Sequence, residues 1–240
     1  MVYDGVPGDR EMELEEHLVE LGKRLLMFFA LLVLLTLALF PFSAEIIKTL
    51  VSEMLPKDIN VITLSPVEIV STRIGLSMAL AFVVSSPIFI YEIFAFMRPG
   101  LFPSERRFFI STIPSSAFLF IFGGAVAYKL FLKKLTLTLI AITHESATPI
   151  IVLSRFIKFV SFVVVSFGVV FQVPLIVYLL LKMELVEKRS LKENRKYAYA
   201  LLFFVATVLS PEPTMASPIV ITLVFIALFE ASLYLFARGR

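Results

Sequence analysis

The 240-residue chain contains no cysteine and no tryptophan, and charged residues make up only 17% of it. Without cysteine there are no disulfide frameworks, thiolate-bound zinc sites, iron–sulfur clusters or thiol nucleophiles. The shortage of charge is more informative, because soluble globular chains carry about 25% charged and about 45–50% apolar residues. Here 59% of the residues are hydrophobic and the mean hydropathy is +0.94. A 27.0 kDa protein has no core large enough to hide that excess, so the composition is that of a membrane protein. Interfacial aromatic anchoring, usually shared between Trp and Tyr, is left to 7 Tyr and 25 Phe. The pI of 9.1 would hint at nucleic acid in a soluble chain, but in a membrane chain the basic residues report topology. No nucleic-acid partner is expected.

Catalytic signatures are missing as well. No HExxH, GxSxG, P-loop or GxGxxG pattern occurs. His17 and His144 fall on opposite sides of the expected membrane, and Asp4, Asp9 and Asp58 all lie outside the apolar runs, which leaves nothing for an intramembrane aspartyl protease. The expectation is a protein that is not an enzyme, with no catalytic residues, metal or cofactor.

What is present is a series of long apolar runs. A hydrocarbon core about 30 Å thick needs roughly 20 apolar residues of helix at about 1.5 Å each. Six candidates run over residues 25–42, 69–96, 108–132, 156–181, 197–209 and 219–236. The first follows a mixed acidic and basic leader, 1–24, in place of the short basic region and small-residue cleavage site of a signal peptide. It is therefore expected to stay in the chain. The last two runs look short, and the fifth would reach only about 20 Å. No repeat or low-complexity linker divides the chain, so a single membrane domain, 1–240, is expected. The segments 43–68 and 133–154 mix apolar, polar and proline positions, as amphipathic caps on the outer interface would.

Six spans put both termini on one side. Of the 22 Lys and Arg residues, 14 fall in the leader, the second-to-third loop, the fourth-to-fifth loop and the tail, and 8 fall on the other side. The excess of basic residues places both termini in the cytoplasm. Within the spans, Pro87, Pro114 and Pro174 should kink helices two, three and four, and Gly123 with Ala127 permits close helix approach. An unpartnered amide in hydrocarbon costs a few kcal/mol, so Gln172 is expected to face a neighbouring helix, a partner helix or a wet cavity. Glu212 lies in the proline-rich loop between the two short runs and is a second candidate partner contact. Glu230 is expected to pair with Arg238 or Arg240.

Several words then fall into one pattern: HLVEL at 17–21, ITLSPVE at 62–68, SSPIFIYEIFAFMRPGLFPSERR at 85–107 and FGVVFQVP at 167–174. RKY at 195–197, LSPEP at 209–213 and LFE at 228–230 continue it in order. The chain resembles the TatC family, the multi-pass receptor subunits of the twin-arginine protein translocase. PGLFPSERR is the most specific piece, and the likeness covers nearly the whole chain.

The resemblance implies an all-α, six-transmembrane-helix, concave glove-shaped bundle in the cell membrane of a bacterium or archaeon, with cytoplasmic termini. It implies binding of the twin-arginine signal peptide of folded cargo through Glu20 and Glu105, with Phe96, Leu101 and Arg106 shaping the site. The implied partners are single-span TatA/TatB-type subunits and further copies in a receptor complex. Gln172 and Glu212 stand where the family has glutamate and aspartate, and Gly22 stands where it usually has arginine. Two other classes compete with this reading. A secondary transporter of small solutes would use the kinked helices and Gln172, yet the convergent midplane polar groups and inverted repeats of transporters are missing. A membrane scaffold would need no acidic cytoplasmic pocket.

Overall fold

The computed structural model describes residues 14–97, 103–144, 148–182, 186–209 and 216–236. Helix α1 (Leu14–Leu39) ends in a single 3-10 turn, Phe40–Phe42, where Pro41 removes a backbone donor, and the chain continues into α2 (Ser43–Met54). Helix α3 (Pro66–Met97) follows, then α4 (Pro103–Val126), a π-helical stretch (Ala127–Leu132) and α5 (Lys133–His144). The remaining helices are α6 (Leu153–Val170), α7 (Val173–Lys182), the short α8 (Lys188–Glu193), α9 (Arg195–Leu209) and α10 (Ala216–Phe236). Strands β1 (Asn60–Ile62) and β2 (Ile150–Val152) form a small parallel ladder with Asn60 opposite Ile150.

Four helical stretches are long and apolar enough to cross a membrane: Glu15–Met54, Pro66–Phe96, Ile110–His144 and Leu153–Lys182. The expected runs 25–42, 69–96 and 156–181 lie within these stretches, 108–132 lies within α4 and the π-helical stretch, and 197–209 and 219–236 lie within α9 and α10, with two differences. The fourth run is two helices, because the chain turns at Phe171 and Gln172 and α7 starts with Pro174 in its first turn, where a missing N–H costs nothing. Pro87 and Pro114, by contrast, sit inside continuous helices. The second difference concerns length. Helix α10 has 21 residues, about 31 Å, so only α9, with 15 residues and about 22 Å, is undersized.

Packing separates the helices by role. Helix α6 is central and buries Phe156, Ile157, Val160, Val163 and Phe167 against α3, α4 and the π-helical stretch. Helix α1 buries only Phe28, packs on α3, and turns Leu26, Met27, Leu34 and Leu37 outward. Apolar rows turned away from the protein suit hydrocarbon. Close approach of α4 to α6 depends on two glycines. A Cβ on Gly123 would sit 2.7 Å from the Phe167 carbonyl oxygen, and one on Gly168 would sit 2.8 Å from the Phe120 ring. Ala127 beside them is fully buried, as small residues at a membrane helix interface should be. Helices α7, α9 and α10 pack together, with Val177, Phe229 and Leu233 at the centre of a second, smaller apolar cluster.

One end of the bundle is stapled by polar groups. The Arg73 guanidinium lies 4.5 Å from the centre of the Phe40 ring. It donates to Ser43 Oγ at 2.9 Å and to the Phe40 carbonyl at 3.2 Å, satisfying backbone left open at the α1 terminus. Glu68 accepts the Leu64 N–H at 2.7 Å and the Ser154 hydroxyl, which ties the start of α3 to α6 beside the β1–β2 ladder. The α2–α5 contact is at this same end. The segments expected as amphipathic caps are thus two helices joined by a strand ladder that alternation did not announce.

Candidate functional site

The opposite end of the bundle carries the acidic cluster. His17, Glu20, Arg24 and Phe28 recur at three- and four-residue spacing, which puts them on one face of α1. On antiparallel α3 they meet Phe96, Glu92 and Phe89 in reverse order. The His17 and Phe96 rings stack with centroids 4.2 Å apart. About three turns further along α1, Phe28 lies 4.8 Å from Phe89 and 6.2 Å from Phe82, and an ion-paired triad lies between these aromatic contacts. Arg24 donates through Nε (2.9 Å) and Nη2 (2.5 Å) to the same oxygen of Glu20, Oε1, and through Nη1 (2.9 Å) to Glu92 Oε2.

The triad is half-buried, with side-chain exposures of 27% for Arg24, 23% for Glu20 and 14% for Glu92. Two carboxylates share one guanidinium, which leaves one negative charge uncompensated within the triad. Glu20 Oε2 is buried and has no hydrogen-bond partner among the described residues. Such an oxygen loses its hydration without replacement, at a cost of about 1–3 kcal/mol or more for a charged group. The cluster is therefore equipped to accept a further donor.

Of the sequence-expected site residues, the structure brings Glu20 and Phe96 to this seam. Arg106 is partly buried near the start of α4, the helix that follows α3 after a short connection. Glu105 belongs to the first turn of α4, where a carboxylate is favoured by the helix dipole; its side chain, like Leu101 and Glu212, lies outside the described residues. Sequence reasoning missed Arg24 and Glu92 as members of the site. Both left a signal. Glu20 and Arg24 have the i, i+4 spacing of a helical ion pair, and Glu92 is the acid inside the apolar run 69–96, where an ionisable group is a functional candidate by default.

Gln172 is elsewhere, at the turn between α6 and α7. Its amide accepts the Ser116 hydroxyl and donates to the Ser116 carbonyl at 3.1 Å and, more weakly, to the Gly168 carbonyl at 3.4 Å. Both amide hydrogens are thus committed within the chain, joining α4 to α6. Glu230 bonds to α9. It accepts the Tyr199 hydroxyl and pairs with Arg195 at 3.2 Å, linking α10 to α9, while Arg238 and Arg240 lie outside the described residues.

Between the two ends, an apolar groove runs over α3 and α6. Its two lobes, about 720 Å³ and 600 Å³, share Leu76, Ala79, Ser161 and Val165. Among the described residues no group of three or more His, Asp or Glu side chains could hold a metal ion. Fold and site together define a multi-pass helical membrane protein with a half-buried charged cluster at one end and an apolar groove over α3 and α6.

Comparison with known proteins narrows the class. Residues 16–223 match the family model of the Sec-independent protein translocase protein TatC. The chain is 39% identical over 229 residues to the Sec-independent protein translocase protein TatC of Methanocella arvoryzae, covering 95% of each chain. It is 30% identical to that of Aquifex aeolicus, covering 93% of this chain and 94% of the relative. A crystal structure of the twin arginine translocase receptor TatC superimposes with a TM-score of 0.80 at 29% identity, over 92% of this chain and 99% of that one. The chain belongs to the TatC family of Sec-independent protein translocases, and it is a multi-pass membrane component of that system.

Proposed function

We propose that this protein is the non-enzymatic receptor for twin-arginine signal peptides of folded cargo, working as one membrane domain with the leader 1–24 and both termini in the cytoplasm. Glu20 and Glu105 take the two guanidinium groups of the peptide, and Phe96, Leu101 and Arg106 shape the surrounding surface. Single-span TatA/TatB-type subunits and further copies of the chain complete the translocation site, with Glu212 available to them.

The observation that carries this reading is the buried Oε2 of Glu20, which has no partner among the described residues and lies one helical turn from the His17–Phe96 stack at the end of α1 and α3. Electrostatic attraction alone is too weak to select cargo, since an exposed ion pair contributes about 0.2–1 kcal/mol. A guanidinium fork matched to a carboxylate adds direction, and lysine cannot reproduce it. The excess of Lys and Arg in the leader, the second-to-third loop, the fourth-to-fifth loop and the tail supports the cytoplasmic assignment, and the start of α1 lies at the end that carries the acidic cluster. A small-solute transporter has less support, because the groove over α3 and α6 is lined mostly by apolar side chains, with Glu45 and Lys158 as its charged members, one in each lobe.

The test is crosslinking. With photoreactive residues placed at positions 17, 96 and 101 of the full chain in lipid nanodiscs, an Arg-Arg signal peptide should crosslink at all three, and unlabelled Arg-Arg peptide should compete. Absence of crosslinks at all three positions, or crosslinking unaffected by competitor, would overturn the assignment.

A further inference from the structure

Arg24 occupies the position that an incoming arginine would want. It touches Glu20 and Glu92 together, yet it uses Glu20 poorly. Nε and Nη2 converge on one oxygen, whereas a guanidinium seated on its preferred edge makes two parallel bonds to both oxygens of a carboxylate. The second oxygen is left buried and unpaired. Arg24 is held from one end only, through a long side chain rising from α1, and its i, i+4 relation to Glu20 limits how squarely it can face that group. A guanidinium delivered on a separate peptide has no such tether. The pair of carboxylates is also one positive charge short, which a second guanidinium would supply.

Resting on the receptor reading above, we infer that Arg24 is a resident guanidinium that fills the Glu20–Glu92 carboxylate pair in the empty receptor and is displaced by an arginine of the signal peptide, so that Glu92 is a further arginine-recognition residue. The resident arginine keeps two neighbouring half-buried acids from facing each other unpaired, a costly arrangement. It also lowers the apparent affinity for cargo by the fraction of time it occupies the site. Peptides with a single arginine, or with lysines, compete badly against a guanidinium already in place. Arg24 thereby acts as a threshold that only the paired-arginine ligand passes. After displacement it is free to move toward solvent.

The inference makes opposite predictions from a purely structural ion pair. Binding of fluorescent Arg-Arg and Lys-Lys signal peptides to the full chain in nanodiscs is measured for wild type, E20Q, R24Q, R24K and R24Q/E92Q. With the resident removed, R24Q should bind the Arg-Arg peptide about ten-fold more tightly and the Lys-Lys peptide more tightly too, narrowing discrimination, as expected when a competing state is deleted. Adding E92Q to R24Q should reverse most of the gain. R24K, which holds one carboxylate at a time, should fall between wild type and R24Q, and it decides the matter if R24Q fails to fold. Unchanged or weaker Arg-Arg binding in R24Q, or in R24K where R24Q is unfolded, overturns the inference. So does a gain in R24Q that E92Q leaves intact. The receptor reading fails separately, by Arg-Arg binding to wild type that E20Q does not weaken.

Discussion

At the scale of single residues, polar groups in this membrane protein fall into those whose hydrogen bonds are complete and those whose bonds are not. Gln172 belongs to the first kind. Its amide is engaged with Ser116 across the α4–α6 interface, so its place in the spans is explained without a ligand. Replacing it by leucine should cost about 1–2 kcal/mol through lost bonds and a newly unpaired Ser116 hydroxyl. S116A should cost less. The double variant Q172L/S116A should be less damaging than the sum of the two, because contacting residues couple. Unfolding of purified variants in detergent measures all three, and strict additivity would mean that the bond contributes nothing. Glu20 belongs to the second kind, with one oxygen bonded and the other buried and, among the described residues, unsatisfied. The sequence could rank Gln172 as the most isolated polar group in a span. It could not reveal Ser116 as its partner, because the two are 56 positions apart and their meeting depends on Gly123 and Gly168 bringing α4 and α6 close.

At the scale of elements, the presence of each long helix was legible, and helix interruption was not. Apolar runs announced every long helix, since hydrocarbon demands both the length and the composition. The break at Phe171 and Gln172 was harder to read. Proline at 174 looked like a kink of the type at Pro87 and Pro114, and only packing decides whether a proline bends a helix or begins a new one. The β1–β2 ladder joins segments 90 positions apart, Asn60 with Ile150, and three-residue strands carry too little alternation to be read. Undersized α9 is an element with a functional consequence. At 15 residues it spans about 22 Å against a hydrocarbon core of about 30 Å, and such a mismatch is met by local thinning of the bilayer. Inserting four leucines into the middle of α9 should leave Arg-Arg peptide binding unchanged and reduce cargo export several-fold in cells. Export equal to wild type would remove thinning at α9 from the mechanism.

For the whole molecule, the two ends of the bundle do different work. One end is stapled by Arg73, Glu68 and the strand ladder, which fix the ends of α1, α3 and α6 relative to each other. The other end is only partly satisfied, with a triad of charges between two aromatic contacts and the α4 terminus bearing Glu105 nearby. A receptor that must admit a peptide from one side needs that asymmetry, since a fully satisfied end has nothing left to offer a ligand. The sequence's resemblance to TatC points to Glu20, Glu105 and Phe96, while Arg24 and Glu92 join them only through the register of α1 against α3. The central claim is that Glu20 and Glu105 recognise arginine by geometry as well as charge. The most direct test is a set of binding isotherms for Arg-Arg and Lys-Lys signal peptides on wild type, E20Q and E105Q at two salt concentrations. The account predicts that each substitution weakens Arg-Arg binding ten-fold or more, in line with the loss of a charged hydrogen bond of about 1.5–3 kcal/mol, and weakens Lys-Lys binding much less, at either salt concentration. Arg-Arg affinity indifferent to both substitutions, or equal losses for both peptides that vanish at high salt, would contradict it.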